Sequence, residues 1–165
     1  MVFVNLILSG WKPEVGLKSF KISADNMLQV FIIIPPIFVL LGLLDTWVKR
    51  ETMIKLMGEG SGLLGIILAF LLGSFAAGPL YAAFPIAGVL LNKGSRFSNI
   101  IIFIGAWSTT KIPMLLFETS TMGWRFMLIR FILDIFGIII IAHLTEMIVS
   151  AEEKEIIYGK ARALS

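Results

Sequence analysis

The chain has 165 residues, of which 58% are hydrophobic and 15% charged, and its formal net charge is +3. Soluble domains carry about 25% charge, so a chain with a mean hydropathy of +0.94 points to lipid as its solvent. The small, dispersed positive charge argues against nucleic acid and fits a basic surface beside anionic lipid. With no cysteine, disulfides, thiolate metal sites and cysteine redox chemistry are excluded.

Residues 1–8 are apolar apart from Asn5, with no basic region before them and no small-residue cleavage site after them. They read as an interfacial segment rather than a signal peptide. In residues 9–26, Lys12, Glu14, Lys18, Lys21 and Asp25 alternate with Trp11, Val15, Leu17 and Phe20, a pattern for an amphipathic helix at the interface. Residues 27–44 are apolar apart from Gln29, and at about 1.5 Å per residue they just reach across the hydrocarbon. Trp47 fits a headgroup anchor, and Pro35-Pro36 predicts a kink in mid-span.

A polar connection, residues 49–60, leads to a long apolar stretch, residues 61–91. It is too long for one straight span and is interrupted at Gly73-Ser74-Phe75-Ala76-Ala77-Gly78-Pro79 and again at Pro85. Either one broken helix crosses at a tilt, or two shorter helices meet at Gly78-Pro79. Residues 92–96 form a turn. Residues 97–117 follow, interrupted by Ser108-Thr109-Thr110-Lys111 and Pro113; then come a connection at 118–123 and a last span at 124–149. The charged tail, 152–165, is partly helical and is expected to be cut at Gly159. The fold class is all-α: a polytopic membrane bundle of four to five transmembrane or re-entrant helices, two of them broken. If 61–91 crosses once, eight basic residues lie on the side of both termini and four on the other, which places both termini in the cytoplasm. A second crossing or a re-entry in 61–91 changes that count.

The two interruptions resemble each other at an offset of 32 residues. Each runs glycine, small, aromatic, small, small, and soon reaches proline. Unwound backbone survives in lipid only where protein buries it or where it lines a wet cavity. Paired breaks of this kind mark transporter binding sites; the other reading is close helix packing through small residues. An ammonium deep in a bilayer costs about 2.5–3.5 kcal/mol on insertion scales. Lys111 is therefore a functional charge at the second break or a residue that snorkels to the surface. Arg130 and Asp134, four residues apart, share a helix face. They either neutralise each other or pair with Lys111 and Glu118 on a neighbouring helix, as a structural ion pair or a charged relay. His143 is the single histidine, so a metal site has little support; Glu146 is its candidate partner. Gly60-Ser61-Gly62-Leu63-Leu64-Gly65 matches a dinucleotide-binding glycine pattern, but no strand precedes it, and it reads as a flexible helix entry.

At these residues the chain resembles the predicted-permease family that includes the organoarsenical efflux permeases. The likeness rests on Gly78-Pro79-x-Tyr81-x-Ala83-Phe84-Pro85 and Ala106-Trp107-Ser108. It continues through Pro113, Phe117-Glu118, Gly123, Arg125-Phe126 and Arg130, and covers roughly residues 15–150. Longer members hold two such halves. The resemblance therefore implies a half-size permease that works as a homodimer or with a sister half, and four spans can hardly enclose a sealed pathway alone. Where the arsenical permeases carry cysteines near the first break, this chain has alanine and glycine, so the solute is left open.

These readings divide the chain into an interfacial segment (1–26), a transmembrane permease half-domain (27–149) and a charged cytoplasmic tail (150–165). The expected path for a small solute comprises Gly73, Ser74, Gly78, Pro79, Tyr81, Pro85, Trp107, Ser108, Thr109, Thr110, Lys111 and Pro113. Glu118, Arg125, Arg130 and Asp134 form an expected charged relay or structural set. No catalysis, cofactor or metal is expected, and the setting is the cell membrane. The alternative is a non-transporting scaffold or regulatory subunit, whose polar groups would all pair internally.

Overall fold

The computed structural model describes residues 13–163 except 48 and 77. The expected interfacial run at the N-terminus therefore lies outside the described residues up to residue 12. The chain falls into two units, Met1–Leu40 and Leu41–Ser165. Helix α1, Pro13–Trp47, carries Pro35 and Pro36 inside it. Its first residue is a proline, whose missing N–H costs nothing there, and Glu14 complements the positive end of the helix dipole.

In the second unit, α2 (Arg50–Met57) and α3 (Gly62–Phe75) meet at 105°. A short 3-10 turn, Leu80–Ala82, leads into α4 (Ala83–Asn92), followed by α5 (Phe97–Thr109), α6 (Ile112–Met122), α7 (Trp124–Ile148) and α8 (Ala151–Ala163). All regular structure among the described residues is helical. Residues Phe97–Met122 and Trp124–Ile148 are each long and apolar enough to cross a membrane, and α2 with α3 makes a third such stretch if the bent pair is one span.

Close packing of α3 on α5 organises this unit. Gly65, Ala69 and Gly73 recur every four residues along α3 and are all buried, which lets two backbones approach. A β-carbon at Gly73 would lie 2.4 Å from the Phe103 carbonyl oxygen and 2.8 Å from the Ala106 β-carbon. The two helices run in the same direction: Gly65 lies beside Asn99, and Gly73 beside Phe103 and Ala106. The buried Phe103 and Trp107 rings meet edge to face, 5.5 Å apart. Helix α7 runs the other way, with Ile138 against Gly105 and Glu146 against Arg96.

The polar ends of several elements converge at the start of α5. Asn99 Nδ2 and the Arg96 amide both donate to the Met57 carbonyl. Arg96 grips Glu146 through two parallel bonds of 2.9 and 2.8 Å. Lys154 donates to the Glu146 carbonyl, and the Tyr158 hydroxyl to the Ser95 carbonyl. Burial pushes the Tyr158 phenol above its usual range, and the nearby Glu59 and Glu146 charges push the same way.

Of the two arrangements open for residues 61–91, the structure has two shorter helices, α3 and α4. Three readings of the sequence change here. Residues 118–122 are helix, and Gly123 alone, at φ +87°, makes the connection to α7. Gly159 does not cut the tail; it lies within α8, with open space around it. Glu146 belongs to Arg96, while His143 Nδ1 lies 2.9 Å from the Ile139 carbonyl of its own helix. A guanidinium offers two parallel donors that a neutral imidazole cannot.

Two outcomes follow. Gly73→Ala should lower stability by about 1–3 kcal/mol, because the obstructing atoms are backbone and a β-carbon that cannot rotate away; Gly88→Ala, with nothing within 4 Å, should not. Thermal unfolding in detergent compares them. At the start of α8, Ser150 and Glu153 form a reciprocal cap, and bonds from the Ser150 amide and hydroxyl lower the Glu153 pKa below its ordinary 4.5. A depressed carboxylate stabilises the fold above its unfolded-state value and loses that contribution as pH falls through the folded one. Protection of the amides at residues 151–154, taken relative to their intrinsic exchange rates, should therefore fall as pH drops below the ordinary carboxylate value, and in Glu153→Gln it should already be low at neutral pH.

Candidate functional site

Two interruptions of regular helix lie side by side. Helix α3 stops at Phe75, and Ala76 is extended. Gly78 sits at φ +106°, in the region that favours glycine, and Pro79 is again extended. On the neighbouring strand of chain, α5 stops at Thr109. Thr110 (φ −117°, ψ 26°) and an extended Lys111 intervene before α6 begins, with Pro113 in its first turn.

Each interruption frees backbone groups, and the opposite segment supplies partners. The Gly78 carbonyl accepts from Trp107 Nε1 at 3.3 Å and from Lys111 Nζ at 2.5 Å. Ser74 Oγ and Thr110 Oγ1 are 2.9 Å apart and buried. Thr110 gives its proton to the Ala106 carbonyl, which makes Ser74 the donor of that pair. The Ser108 and Thr109 hydroxyls both bond back to the Gly105 carbonyl. Tyr81 lies in the 3-10 turn and is 47% exposed; Pro85 lies in the first turn of α4 and is exposed. The structure thus brings together Ser74, Gly78, Trp107, Thr110 and Lys111, with Gly73 in the adjoining helix contact.

A charged cluster adjoins this arrangement. The Arg130 guanidinium donates to Glu118 at 2.7 Å, to Asp134 at 2.8 Å and to the Thr109 carbonyl at 2.9 Å. Arg130 therefore also satisfies a carbonyl at the end of α5. Glu118 is only 8% exposed. The two pairings foreseen for Arg130, with Asp134 and with Glu118, occur together. Lys111 pairs instead with the Gly78 carbonyl. Arg125 stands apart, exposed over the Trp124 ring at 5.7 Å.

Asn99 and the Arg96–Glu146 pair carry much of the polar contact at the other end of α5, and the sequence reading missed them. A lone amide in an apolar run was the available signal for Asn99. The Ser150-x-x-Glu153 pattern likewise announces the cap on α8. Chemically, the interruptions offer carbonyls, hydroxyls, an indole N–H and an ammonium. Among the described residues, no group of three or more His, Cys, Asp or Glu could hold a metal ion.

Replacing Arg130 with Met should leave the Glu118 carboxylate unpaired and cost about 3 kcal/mol, the lower end for a broken buried pair because the cluster is part-exposed. The double variant Arg130→Met/Glu118→Gln should recover part of that loss, since Asp134 and the Thr109 carbonyl still lack their donor. Thermal unfolding of both in detergent reads the difference; equal losses would remove the pairing argument.

The family described as predicted permease (ArsP_1) matches residues 17–163. No protein of curated function and no solved structure matches the chain. The match covers most of the sequence, and the chain belongs to the predicted permease family, the one its motifs resemble. Together with its apolar helices, this makes it a membrane protein.

Proposed function

We propose that this member of the predicted permease family moves a small solute across the membrane through a site at its two helix interruptions. One observation carries the reading: the Gly78 carbonyl of the first interruption receives both Trp107 Nε1 and Lys111 Nζ of the second. Two unwound segments held together, with donors and acceptors concentrated between helix ends, match the way transporters present backbone to a solute. Lys111 is the positive charge of the site. Ser74, Tyr81, Ser108, Thr109 and Thr110 supply hydroxyls, while Gly73, Pro79, Pro85 and Pro113 shape the backbone. Arg130, with Glu118 and Asp134, holds the end of α5 beside them. The chain works as an oligomer, as a homodimer or with a sister half, because so few spans cannot enclose a pathway alone. It performs no catalysis.

A second reading is a non-transporting scaffold or regulatory subunit. Its support is that Ser74, Thr110, Lys111 and Arg130 all have partners inside the chain. Proteoliposomes separate the two. Flux of phosphate, acetate, glycerol and methylammonium is read by light scattering against protein-free vesicles. Transport predicts at least one solute whose flux exceeds the blank and falls tenfold or more in both Lys111→Ala and Gly78→Leu. A flux that survives both variants sinks the site assignment, and no flux for any of the four favours the scaffold.

A further inference from the structure

The direction of the chain around the first interruption carries an inference that does not depend on transport. The segment before α3 and the turn after α4 lie together. Asn99 Nδ2, in the first turn of α5, donates to the Met57 carbonyl at 2.8 Å and reaches Ser61 Oγ at 3.3 Å. The Arg96 amide also donates to the Met57 carbonyl. Gly94, in the turn at φ +89°, faces Ile54 of α2, where a β-carbon would lie 2.7 Å from Ile54 Cγ1. Residues 58–61 and 92–96 are therefore at one end of α5.

The far point of the excursion is fixed as well. Ser74 meets Thr110, and Gly78 meets Trp107 and Lys111. These contacts fall in the middle of the stretch Phe97–Met122, which is 26 residues long. Helix α3 has 14 residues, or about 21 Å at 1.5 Å each, against a hydrocarbon layer of about 30 Å. The stretch made by α5 and α6 is long enough at about 39 Å. Helix α3 stops where that stretch is half completed, and α4 leads back to the level at which α3 began.

The charge count names the side of entry. Eight lysines and arginines lie in residues 49–61, 92–96 and 151–163, and Arg125 is the basic residue by the connection from α6 to α7. All three basic segments are at the same end of α5. Lys154 and Tyr158 tie α8 to Glu146 and to the Ser95 carbonyl, and α2 crosses α3 at 105° rather than continuing it. Basic residues near span ends collect on the cytoplasmic side.

We propose that α3 and α4 form a re-entrant hairpin that enters and leaves the membrane on the cytoplasmic side, with its tip at Gly78-Pro79 seated in mid-membrane against the break between α5 and α6. Residues 61–91 then contribute no crossing. The connection 49–61, the turn 92–96 and the tail share the cytoplasm, while Gly123 faces outside. The count that placed both termini in the cytoplasm assumed one crossing here, and that assumption falls.

The chain has no cysteine, so single cysteines can be introduced without removing others. Four variants of the full chain in intact cells are treated with a membrane-impermeant maleimide, then again after permeabilisation: Gly60→Cys, Leu80→Cys, Met122→Cys and Glu152→Cys. Each is scored once it elutes like the parent protein in detergent. The hairpin predicts that Met122→Cys labels from outside. Gly60→Cys and Glu152→Cys should label at least tenfold more after permeabilisation, and Leu80→Cys, at the tip, should label from outside far more slowly than Met122→Cys. Outside labelling of Gly60→Cys with protection of Glu152→Cys overturns the proposal, because residues 61–91 would then cross. Outside labelling of Leu80→Cys as fast as Met122→Cys overturns it too, because a tip in mid-membrane, even one beside a solute path, reacts far more slowly than a residue in the outside medium. Outside labelling of both Gly60→Cys and Glu152→Cys overturns the cytoplasmic entry.

Discussion

A peptide carbonyl released from a helix within an apolar layer must find a donor in the protein, because no water is there to supply one. That constraint governs the second unit. The Gly78 carbonyl is answered by an indole and an ammonium, and the Thr109 carbonyl by a guanidinium. Each donor comes from a different segment from the carbonyl it serves. The pairings therefore do more than satisfy backbone: they fasten α3 to α5 at the first break, and α5 to α7 at the second. They also account for two cations in so apolar a stretch. A lysine or arginine there is costly alone, and less so when its protons are aimed at carbonyl dipoles or carboxylates.

The polar pairing presupposes the close packing. Ser74 reaches Thr110 because Gly73, one residue earlier, lets α3 lie against the backbone of Phe103 and the β-carbon of Ala106. Gly65 and Ala69 hold the same spacing further down the helix. Read from sequence, small residues for packing and unwound backbone for a site were rival accounts of one motif. In the folded chain the packing accompanies the unwinding: bringing two interruptions within hydrogen-bonding distance requires two backbones nearly in contact.

Much of this was legible in the sequence. The apolar stretches, the two interruptions and the shared face of Arg130 and Asp134 follow from composition and helical spacing. What was not legible is direction. Hydropathy records that residues 61–91 avoid water, and it reads the same whether the chain crosses or returns. Pairings across 50 residues were equally hidden, so Glu146 went to the nearest candidate, His143, rather than to Arg96. Residues 118–123 looked like a loop because Thr119, Ser120 and Thr121 are polar. Their hydroxyls instead bond back to the Leu115 and Phe117 carbonyls of the same helix, which lets polar side chains continue it. Gly159 has open space around it within an exposed helix, where a glycine lowers stability without forcing an end.

The two interruptions are alike in sequence, and their leading helices run parallel, yet the chain turns back after one and goes on after the other. At the offset of 32, Gly78 corresponds to Thr110 and Pro79 to Lys111. Gly78 takes φ +106°, which a β-branched threonine does not tolerate; Thr110 stays at φ −117°. Pro79 has no N–H to carry a helix on from α3, whereas Lys111 leads directly into α6. One pair of positions thus decides whether an interruption becomes a reversal or a step within a longer stretch. The same substitution puts an ammonium where the reversal has a proline ring, and it is that ammonium which closes on the Gly78 carbonyl. The feature that keeps the second stretch going is also the one that holds the first in place.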